Sequence, residues 1–249
     1  MKGVILAGGN GTRLRPLTDI TNKCALPVYD RPMIHYSMEA MAASGVNDVL
    51  VITGGSAAGQ MIHLLGNGSQ FGLRRVYFAV QEKAGGIAHG LQLAEEFAAD
   101  EPVFLALGDN LFFGNGMAAS VSQFSQDPRG ARIFLSAVPD PQRFGVAVVR
   151  GERVVSLEEK PGNPKSNLAV TGFYLYDSSV FDRIRTLEPS ARGELEVTDL
   201  NRTYMVEGRL NYSMLDGDWV DAGTFESLHA ASAMARRFAT RSVSARKAA

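Results

Sequence analysis

A glycine-rich segment near the start of the chain contains residue types that bind phosphate. Gly8, Gly9 and Gly11 follow a short apolar run, and Arg13 and Arg15 come shortly after them. Glycines let backbone amides approach an anion closely, and guanidinium groups bind phosphate oxygens through charge-assisted hydrogen bonds. The segment therefore predicts a phosphate-binding loop.

Two common nucleotide-binding motifs do not fit this loop. A G-x-G-x-x-G pattern counted from Gly9 would need a third glycine where Leu14 stands, and a Walker loop would need a Gly-Lys pair, which the chain lacks. These mismatches argue against a dinucleotide-dependent dehydrogenase and a P-loop NTPase. They leave phosphate binding itself as the prediction.

Two aspartates far apart in sequence are candidates for a metal site. Asp109 follows a predicted strand at residues 102–107, and Asp221 follows the apolar pair Trp219-Val220. Ligands of open α/β sheets bind beyond the carboxyl ends of the strands. Two carboxylates there could hold Mg²⁺ while phosphates and water complete its coordination, although a lone aspartate is as often a turn residue or a helix cap.

The elements that must position these residues change in pattern along the chain. Apolar runs alternate with amphipathic stretches in the first half, which is typical of βαβ units and a parallel sheet. Predicted strands there are 3–7, 48–53, 75–80 and 102–107, and predicted helices are 33–41, with Asp30 as N-cap, 57–65 and 86–97. In the second half, the predicted strands are 133–138, 145–149, 154–158 and 170–176, and the predicted helices are 179–187, 197–207 and 225–238.

The predicted architecture is one domain, residues 1–238, with a mixed and mainly parallel Rossmann-like sheet flanked by helices. Two lobes would cover about residues 1–110 and about residues 111–238. Short links in the second half indicate antiparallel additions to the same sheet. Residues 239–249 have no apolar period and are predicted to be a flexible tail.

Composition excludes several other classes of protein. The 249 residues have a formal net charge of −1, so no basic excess favours a polynucleotide. Cys24 is the single cysteine, which excludes an intramolecular disulfide and fits a reducing compartment, with cytoplasm as the default. No segment has the length of apolar sequence that a membrane span requires.

Several longer motifs carry a resemblance to a known family. They occupy residues 6–14, 23–33, 80–88, 107–110, 158–161, 170–172, 190–199 and 221–224. Through these motifs the chain resembles the sugar-1-phosphate nucleotidyltransferases over about residues 1–235. Within that family it resembles the members that transfer a thymidylyl group. The resemblance implies the nucleotide-diphospho-sugar transferase fold and Mg²⁺ as cofactor. It also implies that the lobe at about residues 1–110 binds the nucleotide and the lobe at about residues 111–238 binds the sugar.

The implied reaction is attack by a phosphate oxygen of α-D-glucose 1-phosphate on the α-phosphorus of dTTP. Its products would be dTDP-glucose and pyrophosphate, as the first step toward dTDP-rhamnose and other deoxysugars. Such chemistry needs neutralisation of charge and in-line alignment, without a covalent intermediate. The resemblance also implies a homo-oligomer, a dimer or tetramer, without a polynucleotide or membrane partner.

The resemblance assigns roles to individual residues of this sequence. The catalytic set is Arg13, Lys23, Asp109, Lys160 and Asp221, with Asp109 and Asp221 as the metal pair. The nucleotide would be bound by Leu6, Gly8, Gly9, Gly11, Thr12, Arg13, Gln81, Gly86 and Asp109. The sugar phosphate would be bound by Gly145, Glu159, Lys160, Val170, Tyr174, Arg192 and Trp219.

Departures from the family pattern leave alternatives open. Phe144 stands where many relatives have tyrosine, and His89 where glutamine is common. Thymine and uracil present the same hydrogen-bonding edge to Gln81, so uridylyl transfer or another sugar substrate stays an alternative, and a non-catalytic sugar-nucleotide sensor is a third. The chain resembles the family's short form, which puts feedback regulation through a C-terminal extension in doubt.

Overall fold

A nine-stranded mixed sheet organises the chain, with two two-stranded ribbons beside it. In this computed structural model the backbone is described for residues 1–248 and the side chains for residues 1–240. The strands are β1 (Lys2–Ala7), β2 (Pro27–Val28), β3 (Arg31–Pro32), β4 (Asp48–Gly54), β5 (Arg75–Gln81), β6 (Val103–Leu107), β7 (Asn110–Asn115), β8 (Ala131–Ala137), β9 (Gly145–Arg150), β10 (Arg153–Glu159), β11 (Leu168–Tyr176), β12 (Leu210–Met214) and β13 (Asp216–Asp221). The helices are α1 (Met33–Ala43), α2 (Ala58–Leu65), α3 (Ile87–Gln92), α4 (Glu95–Ala98), α5 (Met117–Gln126), α6 (Val180–Arg185), α7 (Val197–Val206) and α8 (Phe225–Ala248).

The first half forms the predicted parallel sheet. Strand β1 lies between β4 and β6, and β5 pairs with the outer side of β4, all in parallel. Helices connect these strands, so the strand ends at Ala7, Gln81 and Leu107 open toward the same edge of the sheet. This edge is where the sequence predicted the phosphate loop and Asp109.

The second half adds antiparallel strands, as predicted. Strand β11 pairs antiparallel with β6, β8 and β9, and β9 and β10 form a hairpin. The predicted fold class, a mixed and mainly parallel α/β sheet, is confirmed. Strands β7 and β12 were not predicted, because β12 reads Leu-Asn-Tyr-Ser-Met and β7 ends in Gly-Asn, patterns with little continuous apolar character.

Three predictions about helices are wrong. Helix α1 begins after Pro32 without a side-chain cap, because the Asp30 carboxylate pairs with Arg31 instead. The predicted helix at 86–97 is split into α3 and α4, since the amides of Leu93 and Ala94 donate to carbonyls three residues back and tighten the turn. The predicted end of the last helix at Phe238 is wrong, because α8 continues to Ala248 through alanine- and arginine-containing sequence that favours helix.

Apolar residues fill both faces of the sheet. Along β1, Val4 faces one core cluster and Ile5 faces the other, as strand alternation requires. A third, smaller cluster lies under α8, where Leu14 packs with Val220 of β13. Among residues 1–248, no helix combines the length and the hydropathy that a membrane span needs.

A buried carboxylate forms ion pairs with residues at the amino ends of the neighbouring parallel strands β1 and β5. Asp48, at the start of β4 and 5% exposed, accepts hydrogen bonds from Lys2 Nζ at 3.1 Å and from Arg74 Nε at 2.8 Å. The hydrogen bonds from Arg74, together with the Lys2 ammonium, lower the pKa of Asp48 from its ordinary value of 3.8 to about 2. The ionised group therefore stabilises the register that places the functional strand ends side by side.

Replacing Asp48 by asparagine should lower the free energy of unfolding by about 1–2 kcal/mol at pH 7, because the charged hydrogen bonds are lost. The contribution is present above pH 4, where the unfolded carboxyl is also ionised. It should disappear between about pH 4 and pH 2 as the folded carboxyl takes up its proton. Urea denaturation across that range measures the difference between the two proteins.

Asp127→Asn is the matched control, since Asp127 forms an exposed pair with Arg129 at the surface. It should leave the free energy of unfolding unchanged within experimental error at every pH, because solvent screens an exposed pair. A deficit of Asp48→Asn that stayed constant down to pH 2 would contradict the assigned role of the ionised carboxylate.

Candidate functional site

The two aspartates predicted to bind metal meet at one edge of the sheet. Asp109 lies two residues after the end of β6, and Asp221 is the last residue of β13. The pairing of β13 with β7 sets Asp221 opposite Asn110, and the amide of Ala222 donates to the Asp109 carbonyl at 2.9 Å. Strand pairing thus joins two carboxylates that are separated by more than a hundred residues.

Lys23 balances the charge of Asp109. Its ammonium contacts the Asp109 carboxylate, and both side chains are largely buried, 13% and 14% exposed. Burial disfavours the charged acid, but the Lys23 charge and hydrogen bonds from Lys23 and Asn110 outweigh that effect and keep the pKa of Asp109 below its ordinary value. Burial likewise opposes the charge of Lys23, and Asp109 raises its pKa above the ordinary value.

The loop that carries Lys23 is fixed by one asparagine. Asn22 caps the single turn at Lys23–Ala25 by accepting the Cys24 amide proton at 2.8 Å. Its own amide donates to the Ala7 carbonyl at the end of β1, at 2.9 Å. Lys23 therefore has a defined position relative to the parallel strands.

Asp221 has an oxygen without a hydrogen bond. Its Oδ1 atom is buried and has no donor within the described residues. Burial, reinforced by the charge of Asp109, raises the pKa of Asp221 to about 6. An orphaned carboxylate oxygen beside a second carboxylate fits a divalent cation, which prefers oxygen ligands.

A cation at this position would need further ligands. In the part of the chain that the structure describes, no group of three or more His, Cys, Asp and Glu side chains is arranged to hold a metal. Asp109 and Asp221 could therefore supply two oxygens, and phosphate and water oxygens the others.

Asn110 organises the carboxylate pair and was not predicted as a site residue. It is 3% exposed, and its Nδ2 donates to Asp109 Oδ1 at 3.0 Å. Its Oδ1 accepts from the Gly172 amide and from Trp219 Nε1, each at 2.9 Å. The sequence placed Asn110 in a motif, but its partners on β11 and β13 are far away in the chain, so no local signal identified this role.

The glycine-rich loop that was predicted to bind phosphate lies against Lys23, the partner of Asp109. Gly11 has a φ of +60°, and a Cβ there would lie 2.7 Å from a Thr18 methyl carbon. A cavity of about 550 Å³ is open here and is lined by Gly8, Gly9, Asn10, Thr12, Arg15, Thr18, Asp19, Ile20, Thr21, Asn22, Lys23, Gly54, Ser56, Ala57 and Gln60. Leu6, which was also predicted to bind the nucleotide, lies in β1, two residues before Gly8.

Arg13 approaches the carboxylates from the same loop. A Cβ on Gly223 would lie 2.7 Å from Arg13 Nη2 and 2.8 Å from Asp221 Oδ1, so only glycine leaves room for both. The charges of Lys23, Arg13 and Arg143 offset part of the rise in the pKa of Asp221. Sequence reasoning did not identify Arg143 as a residue near the carboxylates. Arg143 precedes Phe144 in a loop without a recognisable motif, and its guanidinium lies 5.3 Å from the Phe144 ring centre.

The residues predicted to recognise the base lie at the far side of the phosphate loop. Gln81 ends β5, and a Cβ on Gly8 would lie 3.1 Å from its Oε1. Gly86 has a φ of +93° and lies against the Leu195 backbone, where a Cβ would come within 2.5 Å of the carbonyl oxygen. The amide of Leu195 in turn donates to the Gly85 carbonyl at 2.8 Å.

Three of the predicted sugar-binding residues form a second group, on β9, β10 and β11. Glu159 is opposite Gly145 in the hairpin, and a Cβ on Gly145 would lie 3.7 Å from Val170 Cβ. Thr198, which was not predicted, donates its hydroxyl to Glu159 Oε2 at 2.6 Å. Glu159, Gly145 and Val170 are thus brought together as expected.

Two cations border this group. The backbone of Lys160 has a φ of +42°, a conformation that residues other than glycine rarely adopt. Its Nζ lies 3.4 Å from Glu159 Oε1. Arg192 is half exposed and lies 3.7 Å from the same oxygen, while Glu196 accepts two hydrogen bonds of 2.9 Å from its Nη2. Glu196 is a partner that the sequence pattern did not reveal.

The two aromatic residues predicted to line the sugar pocket are largely buried. Tyr174 is 3% exposed and stacks at 6.1 Å on Tyr176 in the core. Trp219 is 9% exposed, donates to Asn110 and packs edge-on against Phe144 at 5.1 Å. Their part in binding sugar stays a prediction, and their packing supports the carboxylate pair from behind.

Comparisons with known proteins agree with this arrangement. The nucleotidyl transferase family matches residues 2–237. A glucose-1-phosphate thymidylyltransferase of Neisseria meningitidis is 45% identical over 234 residues, which is 93% of this chain and 81% of the relative. One of the same name from an Actinoplanes species is 47% identical over 227 residues, 90% of this chain and 74% of the relative.

Solved structures show the same fold. A structure attributed to a glucose-1-phosphate thymidylyltransferase of Bacillus anthracis, in complex with sucrose, has a TM-score of 0.90 and 46% identity, and covers 95% of both chains. A UDP-glucose pyrophosphorylase complexed with UDP-glucose shares the fold at a TM-score of 0.83 and 22% identity, covering 95% of this chain and 98% of that one. With the family match across nearly its whole length, the chain belongs to the nucleotidyl transferase family.

Proposed function

We propose that the protein is a Mg²⁺-dependent glucose-1-phosphate thymidylyltransferase, which makes dTDP-glucose and pyrophosphate from dTTP and α-D-glucose 1-phosphate. The names of the relatives at 45–47% identity support the substrates. The observation that carries the proposal is the buried pair Asp109 and Asp221 with the orphaned Asp221 oxygen, facing Lys23 and Arg13. An early place in deoxysugar synthesis, including dTDP-rhamnose, follows from the product.

The phosphate groups would be held by cations from both halves of the site. Arg13 and Lys23 bind the triphosphate and stabilise the pyrophosphate as it leaves, with the Gly8–Gly11 backbone around it. Lys160 and Arg192 bind the phosphate of the incoming sugar. When bound, Mg²⁺ on Asp109 and Asp221 would neutralise charge on the phosphates.

The same residues make the reaction a direct transfer. Two anionic substrates repel each other, and the cations offset this repulsion while the two binding groups set the sugar phosphate in line with the α-phosphorus. Cys24, the single cysteine of the chain, follows Lys23 in the sequence. Burial raises the pKa of its thiol to about 12, so the thiol stays protonated. No covalent intermediate on the protein is required.

The sugar and the base would be recognised at opposite ends. Gln81 and the backbone of Gly86 bind the thymine, and Glu159, the amide of Gly145 and the backbone of Val170 bind sugar hydroxyls. A homo-oligomer and a cytoplasmic location stay predictions.

A substrate matrix tests the proposal most broadly. Four nucleoside triphosphates, dTTP, UTP, dCTP and ATP, are combined with glucose 1-phosphate, galactose 1-phosphate and N-acetylglucosamine 1-phosphate, and pyrophosphate release is measured with Mg²⁺ or with a chelator. We expect the highest kcat/KM for dTTP with glucose 1-phosphate and none with the chelator. No turnover with any pair would support a sugar-nucleotide sensor instead, and a maximum with UTP would support uridylyl transfer.

Asp109→Asn and Asp221→Asn should each reduce kcat by a factor of about 100 or more, because each removes an anionic oxygen with almost no change in shape. Initial rates of pyrophosphate release at saturating substrates measure the loss. Asp218→Asn is the control, since Asp218 lies exposed on the same strand, β13, 3.8 Å from Arg237. A near-normal rate for either site variant would remove that residue from the metal pair.

Arg192→Lys should raise KM for glucose 1-phosphate by about tenfold and leave KM for dTTP unchanged, because lysine cannot form a two-pronged contact with phosphate. Steady-state kinetics with each substrate varied in turn separates the two constants. Arg129→Lys, at an exposed arginine far from the site, is the matched control. An equal rise in both KM values would show that Arg192 acts on the fold and not on the sugar phosphate.

A further inference from the structure

The amide of Gln81 is held by a histidine. The Gln81 Nε2 atom lies 2.9 Å from Nδ1 of His89, the third residue of α3. In this orientation the amide nitrogen donates and Nδ1 accepts, which is the arrangement of the imidazole tautomer with its proton on Nε2. The contact therefore specifies which end of the Gln81 amide faces His89.

Glycines on either side leave room for this arrangement. A Cβ on Gly85 would lie 2.7 Å from both Cγ and Nδ1 of His89, so the loop before α3 lies directly against the ring. The carbonyl end of Gln81 points the other way, 3.1 Å from a Cβ built on Gly8 and 3.4 Å from one built on Gly90. The amide is thus enclosed between the imidazole and the floor of the phosphate loop.

We propose that His89 is a positioning residue that fixes the orientation of the Gln81 amide and so favours 4-oxopyrimidine over 4-aminopyrimidine nucleotides. The inference rests on the proposed function, in which Gln81 binds the base. With one N–H engaged by His89, the amide keeps one donor and its carbonyl acceptor for a ligand. That pair matches the O4 and N3–H of thymine or uracil.

Cytosine presents the opposite pattern, a donor at N4 and an acceptor at N3. A glutamine that is free to turn its amide over can bind either edge equally well, since its two ends exchange places. In the tautomer with the proton on Nε2, the Nδ1 acceptor opposes that rotation, because a turned amide would set Oε1 against the Nδ1 lone pair unless the ring proton also moved to Nδ1. Discrimination against cytosine would therefore depend on a residue that does not touch the base.

The test compares His89→Leu, which has no acceptor, with His89→Asn, whose Oδ1 stands close to the place of Nδ1. Dissociation constants for dTTP and dCTP are measured by calorimetry with Mg²⁺. His89→Leu should bind dTTP about three- to tenfold more weakly, the effect of one hydrogen bond, and its preference for dTTP over dCTP should fall by a similar factor. His89→Asn should bind dTTP within about twofold of the unmodified protein.

A double-mutant cycle separates positioning from a general structural effect. In a Gln81→Ala background, His89→Leu should weaken dTTP binding by less than about 1.5-fold, because no amide remains to be oriented. Additive losses, or an unchanged dTTP to dCTP ratio in His89→Leu, would overturn the inference. If the unmodified protein itself binds dTTP no more tightly than dCTP, the thymidylyl assignment fails first, which distinguishes that failure from a failure of His89 alone.

Discussion

Two carboxylates buried side by side are the constraint on which the site depends. Asp109 and Asp221 would repel each other strongly without a cation, and the largely buried Lys23 ammonium on Asp109 offsets part of that repulsion. Among the residues that the structure describes, none donates a hydrogen bond to Oδ1 of Asp221. Much of the surrounding structure, from the Asn22 cap to the pairing of β7 with β13, holds these three groups at fixed positions.

The support behind the carboxylates explains why the fold is built as it is. Asn110 connects Asp109 to Gly172 on β11 and Trp219 on β13, so one buried amide joins the two halves of the chain. Gly172 has to be glycine, because a Cβ there would lie 2.4 Å from Asn110 Cγ. At the opposite edge, Asp48 ties together the starts of the strands whose other ends form the site.

The residues proposed to bind the base and those proposed to bind the sugar differ in how firmly they are held. At the proposed base end, Gly86 fits against the Leu195 backbone and Gln81 against His89, so these groups have little freedom. At the sugar end, Arg192 is half exposed and pairs with Glu196, a contact that a phosphate could replace. A site with a firm nucleotide end and an adjustable sugar end is consistent with a reaction in which the triphosphate must be aligned before attack.

Sequence reasoning found the residues whose chemistry is visible in their own type and position. The glycine loop, Asp109 and Asp221 were predicted because flexible or charged residues follow strands, and the role of Lys23 was implied by the resemblance. The parallel sheet places the ends of β1 and β6 side by side. Asn110, Thr198 and Arg143 were missed, because their roles come from partners that only tertiary packing supplies. The sequence assigned Tyr174 to the sugar pocket, and the structure shows its side chain 3% exposed and stacked on Tyr176, so its contact with sugar stays a prediction.

A crystal structure with dTTP and Mn²⁺ in place of Mg²⁺ tests the central claim most directly, because manganese is located by its anomalous scattering. The account predicts one anomalous peak bound by oxygens of both Asp109 and Asp221, with the Lys23 ammonium moved from Asp109 to the triphosphate. A peak elsewhere in the site, or an Asp221 oxygen without a cation while Lys23 still contacts Asp109, would contradict it.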